Sequence, residues 1–502
     1  MVLNKSVSQL KKGALYSYLA IFVNILSGLI YTPWMIRQIG QSQYGLFTLA
    51  NSLISLFMVD FGLSSACARY VSNFHAEGRE DKVEGVLGVI YKLYLIVDFF
   101  ILLSLVIVFF FLDAIYLNLT PKELIQFKVV YSIAGIYSVV SFPFVTLNGI
   151  LTAYEKFQKL KLSELLYRFL VIVLMIFSLL MGWGLYALVT VNALAGILTI
   201  VYKYIVIKKE TSLRVNFSYS SKTLYKEIFK FSIWITVSLL AQRLIFNITP
   251  SILGIVANTS AIAIFGIVTT IESYTYLFAN AINGMFMPKI SNIYVNDKEG
   301  NILPLMLSVG KFQYIVNGLI VVGFLILGKQ FLLLWMGESY IDSYYCILLV
   351  IIPGLFYNAL QIANTAMIVK NKVKYQAVVD LVMGIINVIL SFALSSIYGV
   401  IGACRSIFIA YSFRTVALLF VYNKTLSINI LGFIKECYIK LSVCLIITIF
   451  CLNLFLDNLA LAGWLGLVIK VVIITLVYFA LIYILGLNKK EKKFIKSLIK
   501  KV

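Results

Sequence analysis

The chemistry available to this chain lies in a small set of ionisable residues set inside or at the rim of long apolar stretches. Arg243 and Glu272 fall near the centres of two such stretches, and Asp60 and Asp98 lie deep in two others. Lys311 and Arg414 sit closer to the ends of theirs. At mid-bilayer an ionised group costs at least about 2.5 kcal/mol on insertion scales, so each is a functional candidate. An arginine that reaches a watery cleft suits a diphosphate, because its planar fork donates to phosphate oxygens in fixed geometry. Arg243, Lys311 and Arg414 are therefore candidate substrate-binding cations. Asp60, Glu272 and Asp98 can change protonation and are candidate ion-coupling groups. Bland readings stand beside these. Arg69, Arg405, Lys470 and Lys311 are near enough to an end to snorkel. Glu164 and Arg168 can neutralise each other at i,i+4, and Arg243 with Glu272 can be a buried structural pair.

Other chemistries lack their residues. A single histidine, His75, excludes a multi-histidine metal site. Cys67, Cys346, Cys404, Cys437, Cys444 and Cys451 form no CxxC pair and read as packing residues. No GxGxxG, phosphate-cradling loop or nucleophile elbow stands in a plausible context. The sequence thus predicts no catalytic residue, no metal and no cofactor.

What positions the charges is a lipid-embedded bundle. Of 502 residues, 61% are hydrophobic and 13% charged, with a mean hydropathy of +0.97. Soluble domains run about 45–50% apolar and about 25% charged, so the solvent here is lipid. A ruler of about 20 apolar residues per crossing finds about fourteen spans. They cover approximately 14–36, 44–68, 86–112, 124–152, 162–182, 185–207, 229–257, 261–287, 304–327, 345–369, 375–396, 400–422, 438–456 and 464–486. The first is read as a true span: it starts well inside a lysine-bearing lead and lacks a small-residue cleavage site.

The net charge of +21 is distributed by topology and does not mark a nucleic-acid surface. Lysine and arginine crowd alternate connections: the N-terminus, Arg79–Lys82, Lys156–Lys161, Lys208–Lys230, Lys298, Lys370–Lys374, Lys424–Lys435 and Lys489–Lys501. The opposite set is nearly bare. The positive-inside rule then places both termini in the cytoplasm. The basic tail is also suited to anionic lipid head groups.

The two halves echo each other in order. Thr32-Pro33 recurs as Thr249-Pro250, Tyr44-Gly45-Leu46 as Phe265-Gly266-Ile267, and Pro143 with Asn148 as Pro353 with Asn358. Glu164 finds Asp380, and Trp183-Gly184-Leu185 finds Tyr398-Gly399-Val400. An even number of spans per repeat makes the repeats parallel, and transporters place substrate where such repeats meet. The expected domains are an N-terminal lobe at 1–210, a cytoplasmic connector at 211–228, a C-terminal lobe at 229–425, and an appendage with a basic tail at 426–502.

The stretch Thr32-Pro33-Trp34-Met35-Ile36-Arg37-Gln38-Ile39-Gly40, followed by Tyr44-Gly45-Leu46-Phe47, Asp60-Phe61-Gly62-Leu63-Ser64-Ser65, Arg69 and Ala76-Glu77-Gly78-Arg79, resembles the polysaccharide flippases. These are the O-antigen and capsule repeat-unit exporters of the multidrug/oligosaccharidyl-lipid/polysaccharide superfamily. The resemblance implies an all-α polytopic membrane protein with two six-helix lobes in a V, plus two extra C-terminal helices. It implies a cationic cavity that takes undecaprenyl-diphosphate-linked oligosaccharide by alternating access in the bacterial cytoplasmic membrane. A proton or sodium gradient and polysaccharide-assembly partners (a polymerase, a chain-length regulator) belong to the same expectation. Arg37, Asp60 and Arg69 carry the motif, and by this likeness Arg37 and Arg69 join the substrate-binding cations. The core of the first span, Tyr18 to Thr32, has no arginine, which departs from relatives that flip the peptidoglycan precursor.

Two rival readings remain. A multidrug antiporter of the same superfamily would use Asp60 and Glu272, though the intramembrane arginines count against it. A membrane glycosyltransferase or polymerase would need an acidic or large external loop, and the first external connection, Arg37 to Gln43, has no carboxylate.

Overall fold

The computed structural model describes residues 25–211, 213–280, 286–296, 300–456, 461–489 and 491–492. Every regular element among them is helical. In chain order these are α1 (25–39), α2 (Gln41–Phe57), α3 (Leu63–Ala76), α4 (Glu80–Ile115), α5 (Pro121–Ser141), α6 (Thr146–Ala153), α7 (Phe157–Leu180), α8 (Gly184–Glu210) and α9 (Lys222–Gln242). Then come α10 (Thr249–Val256), α11 (Thr259–Asn280), α12 (Met287–Asn296), α13 (Leu303–Trp335), α14 (Ser343–Asn358) and α15 (Gln361–Val369). The last are α16 (Val373–Leu426), α17 (Ile430–Phe433), α18 (Lys440–Leu456) and α19 (Gly463–Leu481).

Ten helical stretches among the described residues are long and apolar enough to cross a membrane, or eleven if the bent pair α14–α15 counts as one. The expectation of about fourteen is not reached, for identifiable reasons. The first half of the first span, 14–24, lies outside the described residues. The second is broken into α2 and α3, of 17 and 14 residues, each too short to cross alone. The tenth is the pair bent by 51°. The eleventh and twelfth share the range α16 but are two helical runs parted at Gly399, which stands at φ 56°, ψ −135°. Only glycine settles readily in that backbone region.

Local rules set the ends. Thr120 and Glu123 form a complete capping box on α5, with Pro121 at its first position. Ser221 caps α9 through the Leu224 N–H. The repeat-matched Gly184 and Gly399 share a left-handed φ, 55° and 56°. Phe100, Phe110, Ile389 and Leu465 are exposed on helix faces that no protein covers, as lipid-facing residues must be.

The helices form two compact units, Met1–Gly266 with Asp380–Ala403, and Ile267–Val379 with Cys404–Val502. In the first, α2 lies against α5 and α10, α3 against α4 and α6, and α7 against α8. In the second, α13 packs on α14, α18 and α19. The segment joining α8 to α9 is bound along α4 in the first unit. The Asn216 N–H donates to the Glu84 carbonyl at 3.2 Å, and Lys92 Nζ donates to the Tyr219 carbonyl at 3.1 Å. Gly85 lies under the Tyr219 ring, and a Cβ on Gly88 would overlap the Asn216 carbonyl.

Candidate functional site

The second predicted span opens in the middle. After α2 the chain runs through Met58–Gly62, with Phe61 at φ 52° and Gly62 at φ 68° in succession. A left-handed phenylalanine costs roughly 1–2 kcal/mol. Irregular backbone at membrane depth survives only where protein or water satisfies its polar groups. Here side chains do so. The Asp60 carboxylate accepts the Ser64 N–H at 3.2 Å, capping α3, and also accepts the Tyr94 hydroxyl of α4. The freed Met58 carbonyl accepts Arg243 Nη2 at 3.4 Å.

Arg243 begins a π-helical turn, Arg243–Asn247, that interrupts the helix between α9 and α10. Such turns hold backbone that an α-helix would leave unpaired, often at functional sites. The turn faces α2 with polar atoms: Ser52 donates to the Asn247 carbonyl, and Asn247 Nδ2 donates to Ser55 Oγ at 2.8 Å. From α16, Asn387 Nδ2 donates to the Leu244 and Ile245 carbonyls at 3.1 and 3.2 Å. Two broken helices thus meet around one arginine, one carboxylate and a ring of hydroxyls and amides. Arg243 and Asp60 are half-buried here, each with its charge beside main-chain dipoles.

In the second unit Arg414 is wholly enclosed, at 1% exposure. It donates to the Tyr357 hydroxyl at 3.0 Å, and its guanidinium sits 4.2 Å over the Tyr357 ring and 5.2 Å from that of Tyr411. Asn364 Nδ2 donates to the Tyr357 hydroxyl and to Gln361 Oε1 at 3.4 and 3.0 Å, and Tyr422 donates to Asn364. Glu272 on α11 is half-buried within electrostatic reach of Tyr411.

The other predicted residues are placed differently. Lys311 is buried and its ammonium is held by Glu491 at 3.0 Å and Glu436 at 3.4 Å, so it pins α13 to the C-terminal segments. Arg37 and Arg69 are exposed, Arg69 lying 5.9 Å from the Tyr70 ring. Asp98 is half-buried on α4, its Oδ1 shielded and without a hydrogen-bond partner among the described residues. Glu164 pairs with Lys161 at 3.0 Å, which replaces the expected Arg168. Arg243 and Glu272 fall in different units. Among the described residues no cluster of His, Cys, Asp and Glu can hold a metal ion.

Several participants escaped the sequence reading. Tyr94, which holds Asp60, is one of 32 tyrosines and nothing local marks it. Ser52 and Ser55 look like ordinary small residues of a membrane helix. Lys203 of α8 donates to Asn148 Oδ1 at 2.9 Å, a cation near the end of the sixth predicted span that was not singled out.

Comparison with known proteins bears on these arrangements. Residues 10–294 match the family described as polysaccharide biosynthesis protein. Among curated proteins none matches the chain by sequence. The fold is similar to that of lipid II flippase MurJ in its inward closed conformation, with 15% identity, a TM-score of 0.71, and 98% of this chain and 100% of that one covered. It is similar to an inward-facing multidrug-resistance MATE transporter at 12% identity and a TM-score of 0.70, covering 82% of this chain and 98% of that one. A transporter of the same superfamily from Pyrococcus furiosus aligns at 13% identity and a TM-score of 0.62, over 84% and 96% of the two chains. At these identities the likeness is one of fold.

Proposed function

The chain belongs to the polysaccharide biosynthesis protein family, and from that premise we propose that it is a flippase for undecaprenyl-diphosphate-linked oligosaccharide repeat units. The observation that carries this reading is the polar breach around Arg243. A guanidinium at a helix break, on the same π turn whose Asn247 bonds Ser52 and Ser55, suits a diphosphate-sugar head far better than it suits a hydrophobic cation. Arg37, Arg69 and Arg414 complete the proposed cationic set, while Lys311 is already held by two carboxylates. Asp60, Glu272 and Asp98 are the proposed points where a proton or sodium gradient couples to transport.

The lipid part of such a substrate needs an apolar bed. The second unit has a cavity of about 260 Å³ between α11, α13 and α19, lined by Ile271, Ile320, Phe324, Phe331, Leu467 and Val471. A polyprenyl chain fits that lining, which offers almost no polar surface. The reading places the protein in the cytoplasmic membrane with both termini inside, working by alternating access for O-antigen or capsule assembly beside a polymerase and a chain-length regulator.

The test is a deletion in the native cell followed by leaflet-resolved extraction of undecaprenyl-diphosphate oligosaccharides. The reading expects them to accumulate on the cytoplasmic side, with rescue by the intact gene. No accumulation, together with altered sensitivity to cationic dyes, would overturn it in favour of drug antiport.

A further inference from the structure

Three turns from the cation-poor set of connections come together in the first unit: the α1–α2 turn at Gly40, the α4–α5 turn at Tyr116–Thr120, and the α10–α11 turn at Ala257–Asn258. The first two belong to one sequence repeat and the third to the other. They converge on a single carboxylate. Glu123 Oε1 accepts from the Ser42 hydroxyl at 2.6 Å and the Thr259 hydroxyl at 2.8 Å. Its Oε2 accepts from the Thr120 N–H and hydroxyl, both at 2.9 Å.

We propose that Glu123 is a latch that joins the two repeats at the cation-poor end and opens once in each transport cycle. This rests on the alternating-access reading above. The surrounding contacts support the assignment. The Asn118 side-chain amide donates to the Ile255 carbonyl, the Tyr116 ring fills the space beside Gly254, and a Cβ on Gly45 would overlap the Thr259 carbonyl. The second-repeat segment 254–259 is therefore gripped by first-repeat atoms through small and polar contacts. A hydroxyl–carboxylate bond is directional and charge-assisted. Glu123 is half-buried and Thr120 exposed, so water can take the place of Ser42 and Thr259 without stranding a charge. The capping box on α5 survives that exchange and keeps the carboxylate aimed for reclosure. One residue thereby serves a permanent bond on its own helix and a breakable one across the repeats.

The capping role sets the choice of variants. Glu123→Ala would damage α5 itself, whereas Ser42→Ala with Thr259→Val leaves the capping box intact and removes the Glu123 bonds to the other two turns, the Thr259 bond being the one across the repeats. A reporter, Ser251→Cys, stands buried in α10, two turns from Thr259, in a background with the six native cysteines replaced. A membrane-impermeant maleimide is applied to intact cells. The latch expects Ser42→Ala/Thr259→Val to raise labelling of the reporter several-fold at unchanged abundance. Unchanged labelling would overturn it. Independently, Ser42→Cys/Thr259→Cys, oxidised to a disulfide, should halt transport, and reductant should restore it; a cross-linked chain that transports normally would overturn the latch. The labelling readout does not depend on the identity of the substrate. If labelling rises while the deletion strain traps no lipid-linked oligosaccharide, the latch stands and the substrate reading falls.

Discussion

Arg243 and Met58 are joined across 3.4 Å, a side chain from the first helix of one repeat to a carbonyl freed in the second span of the other. At the opposite end of α2 lie the repeat-matched glycines. A Cβ on Gly266 would come within 3.1 Å of the Tyr44 ring, and Gly45 lies against Thr259. Corresponding segments of the two repeats thus cross at their smallest residues, where backbones can approach closely. The charge that faces the breach is held by the very backbone that the breach exposes.

Arg243→Ala should abolish export with the protein still in the membrane. It also leaves the Met58 carbonyl without a donor, which costs about 1–3 kcal/mol and should lower the melting temperature in detergent. Arg243→Lys restores a charge without the planar fork, so it should recover stability more fully than export. Wild-type export by the alanine variant at normal abundance would remove Arg243 from the site.

Asp60→Asn keeps an acceptor for the Ser64 N–H and a partner for Tyr94, whereas Asp60→Ala loses the helix cap. The alanine variant should lose about 1 kcal/mol of stability, and the asparagine variant much less. If Asp60 couples transport to ions, Asp60→Asn should still fold yet lose the response of export to collapse of the proton or sodium gradient. Export by a folded Asp60→Asn variant that tracks the gradient as wild type does would assign Asp60 to architecture alone.

Glu272→Gln makes the same comparison in the second unit, where the carboxyl stands within electrostatic reach of Tyr411. The expected outcome is export at normal protein abundance with the gradient dependence gone. An unaltered dependence would count against Glu272 as a coupling group.

Lys311→Met should leave export largely intact. The lysine is enclosed by protein, but its partners Glu436 and Glu491 are 40% and 33% exposed and rehydrate when it is lost. The large cost of breaking a buried pair comes from the charge left behind in the interior, and here neither remaining carboxylate is buried. Loss of export without loss of abundance would return Lys311 to the substrate path.

Much of the site was legible because depth in an apolar run is a one-dimensional property. Arg243, Asp60 and Glu272 stand out by hydropathy alone, and Thr249-Pro250 announced the interrupted helix beside the π turn. Partners across space were not legible. Lys311 meets Glu491 over 180 positions of chain, and Asp60 meets Tyr94 over 34. Hydropathy reports that a residue is buried, without saying which of many tyrosines or serines will hold it. The break inside the second span was missed for a related reason: a window average passes smoothly over Met58–Gly62, where two left-handed residues interrupt the helix, whereas the cut between the eleventh and twelfth spans coincides with the non-helical Gly399.

The segment between α8 and α9 determines where the molecule can bend. A loose tether would let the two repeats pivot freely at their junction, but this one is seamed to α4 through Glu84, Lys92 and the pair of glycines beneath Tyr219 and Asn216. It acts as a splint. The irregular backbone left inside the membrane-spanning stretches is then at Phe61–Gly62 and at Arg243–Asn247, so a bend within the bundle would fall beside the candidate site.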